Sequence, residues 1–232
     1  MNPRSRRSVF PEYRMKWRFL CVYPFLVALL LGTGHVSAQA TKAMSEPGPD
    51  RVGPTYRGGL VTPPLPKPRF TLTDTSGAPY DFWEKTHGYV TLLFFGYSHC
   101  PGMCPMEMSL IARVLAKMPP GSADQFKVVF VTTDPARDSP NVLRSWLDRF
   151  DERFIGLTGR EAAIDAAQLA ANIPAARKSA VRADGSYDVG HASFVLAYTK
   201  DNLAHVIYPI GVKQEDLAHD IPLLAKEAWT NK

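Results

Sequence analysis

Two near-continuous apolar runs, Tyr89–Phe95 (Tyr-Val-Thr-Leu-Leu-Phe-Phe) and Phe126–Thr132 (Phe-Lys-Val-Val-Phe-Val-Thr), constrain this chain more than any other feature. Neither alternates between polar and apolar residues, so each predicts a strand buried on both faces. That is the condition of a central strand in a parallel sheet covered by helices. Between the runs, Met108, Ile111, Leu115 and Met118 recur at helical spacing, and Pro119-Pro120-Gly121 stops the helix. A second crossover helix is expected from Ser139 as N-cap and Pro140 at the first helical position, burying Leu143, Trp146, Leu147 and Phe150.

The rest of the chain extends this frame. A short strand at Phe154–Leu157 and an alanine-rich helix at Glu161–Ala171 come next. Ser193–Thr199 and Leu203–Tyr208, separated by Lys200-Asp201-Asn202, predict an antiparallel hairpin. The terminal helix, interrupted by Pro222, should turn Leu217, Ile221 and Leu224 inward. With a small opening hairpin near Phe70 to Phe82, the order β-α-β-α then β-β-α predicts a thioredoxin-like α/β domain. It would have a central mixed sheet flanked by helices and an N-terminal hairpin extension.

Charge separates this domain from what precedes it. The net charge of +5 suggests a basic protein, but six of the 27 basic residues and one of the 22 acidic residues fall within residues 1–40. The remainder carries 21 of each and is electrically balanced. Nothing in it suggests nucleic-acid binding. At 45% hydrophobic and 21% charged, the chain is neither disordered nor a polytopic membrane protein, and three cysteines in 232 residues exclude a disulfide-built miniprotein.

Residues 1–40 are expected to be an export signal or membrane anchor: a basic stretch, the apolar run Phe19–Leu31, then the small residues Val36-Ser37-Ala38-Gln39-Ala40. The run is short for a spanning helix of about 20 residues, although the uncharged stretch around it leaves an anchor over residues 19–40 open. Residues 41–68 hold seven prolines and four glycines, and they predict a tether. Residues 69–232 would form the working domain.

Cys100-Pro-Gly-Met-Cys104-Pro follows the carboxyl end of the first central strand, the rim where open α/β sheets bind ligands. Pro105 at the first helical position would make Cys104 the N-cap, where the helix dipole favours thiolate. Two thiols at this spacing allow either a disulfide across the loop or two thiolates on one metal ion. A structural zinc site usually needs four ligands, whereas soft thiolates with one imidazole suit copper. His191 can supply that imidazole. It stands just before a strand expected to run antiparallel to the central pair, and therefore on the same rim as the cysteines. His99 adjoins Cys100 but should point away from it. His87, His205 and His219 sit where loop or structural roles are expected. Asp134 ends the second central strand, either as a turn-forming residue before Pro135 or as a carboxylate holding an imidazole or cationic partner near the thiols. Arg137 is expected to pair with a neighbouring acid. Met108 should pack, while Met103 is a candidate weak extra ligand.

Three segments, Phe94-Phe-Gly-Tyr-Ser-His-Cys-Pro-Gly-Met-Cys-Pro105, Thr133-Asp-Pro-Ala-Arg-Asp-Ser-Pro140 and Gly190-His-Ala-Ser-Phe194, resemble in order the Sco/SenC family of copper-binding assembly proteins. The resemblance spans about Phe70 to Trp229. It implies a thioredoxin-like fold, an exported or periplasmic location, and one copper held by Cys100, Cys104 and His191. It further implies a role in maturing the CuA centre of cytochrome c oxidase, with the CuA-bearing subunit and other copper carriers as partners. Gly102 and Gly190 depart from the family pattern, each standing where an acidic residue is usual. The runner-up function is a thiol-disulfide reductase acting on the oxidase subunit cysteines through Cys100 and Cys104. A peroxide-handling thiol protein is a third, weaker possibility.

Overall fold

The structure, a computed structural model, describes residues 56–226. The leader expected over 1–40 lies outside the described residues. Among them, no helix is long and apolar enough to cross a membrane.

In chain order the elements are β1 (Gly59–Pro66), β2 (Thr71–Asp74), β3 (Pro79–Asp81), α1 (Phe82–Thr86), β4 (Val90–Gly96), α2 (Met103–Ala116), β5 (Phe126–Thr132), α3 (Pro140–Leu147), β6 (Ile155–Thr158), α4 (Glu161–Ala170), β7 (Arg177–Lys178), β8 (Val189–Gly190), β9 (Phe194–Tyr198), β10 (Leu203–Pro209) and α5 (Gln214–Lys226). One eight-stranded sheet runs in the order β1-β10-β9-β4-β5-β6-β2-β3, and β7 pairs with β8 in a separate two-stranded ribbon. The strands β4, β5 and β6 are parallel, in register Val90↔Phe126 through Gly96↔Thr132 for the first pair. The hairpin β9–β10 runs antiparallel against β4. This is the thioredoxin-like mixed sheet predicted from the element order.

The two apolar runs are central because both their faces are covered. Leu92 and Phe94 of β4 enter the core shared with α2, α3 and α5, while Leu93 and Phe95 enter the core shared with α1 and α4. The strand period of two divides one continuous run between two cores. Local chemistry fixes the ends of the helices. Ser139 accepts from the Val142 amide at 3.4 Å with Pro140 next, and Asp81 accepts from the Glu84 amide at 3.0 Å. In the β2–β3 turn, Asp74 accepts from the Ser76 and Ala78 amides.

Two expectations need correction. Residues 59–66, assigned to the tether by their prolines, form the edge strand β1. Proline is tolerated there because an edge strand need not donate on its outer side, and Pro63 and Pro64 fall in the irregularity between Leu60 and Leu65. Gly58 admits this strand, since a Cβ there would lie 2.5 Å from Val206. The fully buried Asp220 of α5 fastens the same segment, accepting from the Arg57 amide at 2.9 Å, the Gly58 amide at 2.9 Å and the Tyr208 hydroxyl at 3.2 Å. Pro222, expected to interrupt the last helix, lies inside a continuous α5 whose Leu217, Ile221 and Leu224 are buried as predicted.

Candidate metal centre

The strand β4 delivers the cysteine loop to the carboxyl rim of the sheet. Gly96 ends the strand, and its carbonyl accepts from the Thr133 amide at 2.6 Å, joining the rim of β4 to that of β5. A Cβ on Gly96 would lie 2.9 Å from Cys104 Sγ, so glycine is what lets the sulfur settle against the strand end. Ser98 is tied down by buried Asp138, which accepts from its amide at 2.9 Å and its hydroxyl at 2.5 Å while also accepting from Thr132 Oγ1 at 2.6 Å. His99 Nδ1 faces Ser98 and Asp138, directing the ring away from Cys100 as expected.

The helix begins two residues earlier than its sequence suggests. Gly102 is the N-cap of α2, Met103 opens the helix, and Pro105 falls at the third helical position, still within the turn whose N–H groups lack helical partners. Cys104 is therefore inside the helix rather than capping it. This reverses the expected electrostatics of the pair. Burial pushes the Cys104 thiol strongly up, beyond the lowering effect of the Tyr97 backbone. Burial also works against the Cys100 thiolate, but hydrogen bonds from the backbone amides of Cys104, Gly102 and Met103, with help from the Cys104 side chain, outweigh it and hold Cys100 below the ordinary thiol value. The half-buried Cys100 is the thiolate-favouring member; its Sγ lies 3.5 Å from the Cys104 amide.

His191 arrives from the other side, in the connection between β8 and β9. Its Nε2 lies 3.6 Å from Cys104 Sγ, across 87 residues of sequence. Its Nδ1 lies 2.8 Å from the Ala192 carbonyl, which can only accept, so Nδ1 carries the proton and the Nε2 lone pair faces the sulfur. The rings of Phe94 and Tyr97 stand nearly perpendicular to the imidazole, with centroids 6.0 and 5.7 Å away. Burial lowers the imidazole pKa despite the backbone groups of Ala192 and Phe95, which favours the neutral, ligand-competent form.

Asp134 and Arg137 sit behind this arrangement. Arg137 Nε pairs with Asp134 Oδ2, and the Tyr187 hydroxyl donates to Asp134 Oδ1 at 2.8 Å. The guanidinium lies 3.8 Å from the Tyr187 ring centroid and 5.6 Å from that of Tyr97. Asp134 thus holds a cationic partner, one of the two supporting roles its position suggested. Asp138, Tyr97 and Tyr187 were not identified from sequence. Asp138 was visible as a second acid in the segment containing Asp134, but the tyrosines carried no signal that would have linked them to the site.

Cys100, Met103, Tyr97, Gly190, His191 and Ser193 line one cleft of about 560 Å³. Among the described residues, no three His, Cys, Asp or Glu side chains are already gathered into a closed metal site. The donor set nevertheless fits a soft ion: the Cys100 thiol and a neutral imidazole border one cleft, and the buried Cys104 thiol lies directly behind it, 3.6 Å from His191. Neither missing acid reflects a backbone demand for glycine. A Cβ on Gly102 would meet nothing within 4 Å, and one on Gly190 would meet only the Arg177 carbonyl at 3.7 Å.

A family model described as SCO1/SenC matches residues 62–226. An SCO2-like protein of Rickettsia prowazekii is 30% identical over 147 residues, covering 62% of this chain and 71% of that protein. The chain spans 60% of another curated relative, from Stutzerimonas stutzeri, with 33% identity over 125 residues. Among solved structures, copper-bound ScoI of Bradyrhizobium japonicum is 30% identical with a TM-score of 0.60, covering 68% of this chain and 98% of that one. Apo Sco1 of Thermus thermophilus is 28% identical with a TM-score of 0.65, covering 73% and 97%.

Proposed function

From a chain that belongs to the SCO1/SenC family, we propose an exported copper chaperone that carries one copper ion on Cys100, Cys104 and His191 and delivers it to the CuA-bearing subunit of cytochrome c oxidase. The observation carrying this reading is the placement of His191 Nε2, with its lone pair directed at Cys104 Sγ 3.6 Å away, in the cleft that Cys100 also borders. Copper is cargo here. Three donors with an open face let a partner's ligands enter before the chaperone's leave, whereas a closed four-ligand site resists such exchange. The neutral imidazole binds without first losing a proton, and the backbone amides around Cys100 favour its binding as thiolate. Export by residues 1–40, with or without retention at the membrane, would place the domain in the periplasm.

His191→Ala should strongly weaken copper binding while leaving both thiols titratable. Metal analysis and EPR on wild type and on Cys100, Cys104 and His191 variants test the assignment; unchanged stoichiometry and affinity in His191→Ala would sink it.

The unequal thiols support a second role. A partly exposed, low-pKa Cys100 beside a buried, high-pKa Cys104 is the arrangement of an attacking and a resolving thiol. Rapid, copper-independent reduction of the disulfide in an oxidase CuA domain would favour a reductase; no turnover would leave the chaperone alone.

A further inference from the structure

The three methionines around the cysteine pair divide sharply. Met108 is fully buried, but Met103 is 45% exposed and Met106 50% exposed, among the few large apolar side chains that the described residues leave in water. Residues three apart on a helix are neighbours, with Cβ atoms about 5–6 Å apart. The unbranched methionine side chain has enough rotatable bonds to bring two such sulfurs together. Met103 lines the cleft with Cys100 and His191. Cys104 has no exposed surface, so an ion arriving from outside meets the thioethers and Cys100 first.

We propose that Met103 and Met106 form a second, weaker site for a soft monovalent cation, Cu(I), at the mouth of the cleft, from which the ion passes to Cys100. The relay rests on the chaperone reading above, while the thioether site stands on its own residues. Thioethers select Cu(I) over harder ions. The first turn of α2 carries no acidic residue, Gly102 offers no side chain, and the one carboxylate lining the cleft among the described residues, Asp188, is paired with Arg182, so a hard divalent cation finds no unpaired carboxylate there. The positive end of the helix dipole disfavours any cation there, keeping the site weak and transfer inward favourable. The transfer is redox-neutral: a bond from Cu(I) to a methionine Sδ breaks as one to Cys100 Sγ forms, and any proton on the thiol goes to water.

The test uses the full chain carrying Cys21→Ser, Cys100→Ser and Cys104→Ser, labelled with 13C at the methionine methyl groups and titrated with Ag(I) as a redox-inert soft probe. The methyl resonances of Met103 and Met106 should shift together and saturate, with Met108 unmoved, and the response should be lost in Met103→Leu/Met106→Leu. Both substitutions are at exposed positions and keep the side chain apolar. No shift without the cysteines, or a shift of Met103 alone, overturns the site. With the cysteines intact and free Cu(I) buffered below the level that fills the thioether site, Met103→Leu/Met106→Leu should load the cysteine-histidine site more slowly than wild type; equal rates of uptake overturn the relay. A wild type that binds no copper through cysteine and histidine, yet keeps the methionine shifts, refutes the chaperone reading and supports the thioether site.

Discussion

Cys104 and His191 face each other across 3.6 Å, yet the backbone behind each is held differently. The cysteine side rests on α2, whose Cys104, Met108 and Ile111 are almost wholly buried against β4 and its neighbours, with the sulfur pressed against Gly96. The histidine side hangs on a two-residue strand, β8, bonded to an equally short β7 whose residues are exposed. What surrounds it is the Ala192 carbonyl on Nδ1, the perpendicular rings of Phe94 and Tyr97, and the Asp134–Arg137–Tyr187 group. One donor belongs to the core. The other stands on the core's edge, on a short ribbon whose partner strand is exposed.

The strongest way to break this contrast is Arg137→Ala. It leaves Asp134, which is fully buried, with its charge uncompensated except by the Tyr187 hydroxyl, and it removes the cation over both tyrosine rings. Removing one member of a buried pair costs about 3 kcal/mol. Urea denaturation should show that loss, and amide exchange should quicken around residues 187–192 before it does in α2. If α2 loosens equally, the histidine side is not the separately held one.

Gly96→Ala attacks the other side. The new methyl would lie 2.9 Å from Cys104 Sγ, 2.9 Å from the Phe94 ring and 3.1 Å from the Phe130 ring, so the sulfur must move. Overpacking of this kind costs about 1–3 kcal/mol. Cys104 should become easier to alkylate in the folded state while His191 keeps its contact with the Ala192 carbonyl. Unchanged thiol reactivity would show that the cysteine side yields as readily as the other.

The same contrast explains how much could be read from the sequence. The central strands, crossover helices and final hairpin were legible because their periodicities are set by burial on known faces, and the cysteine loop was legible because it follows such a strand. The placement of His191 on the cysteine rim was legible because an antiparallel strand must begin where parallel strands end. The helix start was misplaced because Pro105 is compatible with more than one position in a first turn; only the backbone shows Gly102 as the cap. The edge strand β1 was hidden because its prolines signal a tether, and nothing in residues 59–66 announces that β10 will offer them an edge. Tyr97 and Tyr187 act through a cation brought from the β5–α3 connection, a contact between distant segments that leaves no local pattern.

The cysteine side also carries a cost of its own, which sharpens the comparison with a smaller effect. Glu107, one helical turn beyond Cys104, is buried with neither carboxyl oxygen in a hydrogen bond. Burial pushes its pKa up from 4.5 to about 7, opposed by the Gly211 amide without a well-aligned hydrogen bond. Between these values the folded protein holds the proton more tightly than the unfolded chain, so this contribution to stability is fully present below pH 4.5 and lost as pH rises through 7. Glu107→Gln removes the titration but keeps a buried polar amide, so the gain at pH 8 should be only about 1 kcal/mol. Urea midpoints for wild type and variant should be close at acidic pH and separate towards pH 8, with the variant higher. Parallel curves across that range would mean that Glu107 does not titrate within the folded helix, and that the rigidity of the cysteine side is obtained without the buried charge.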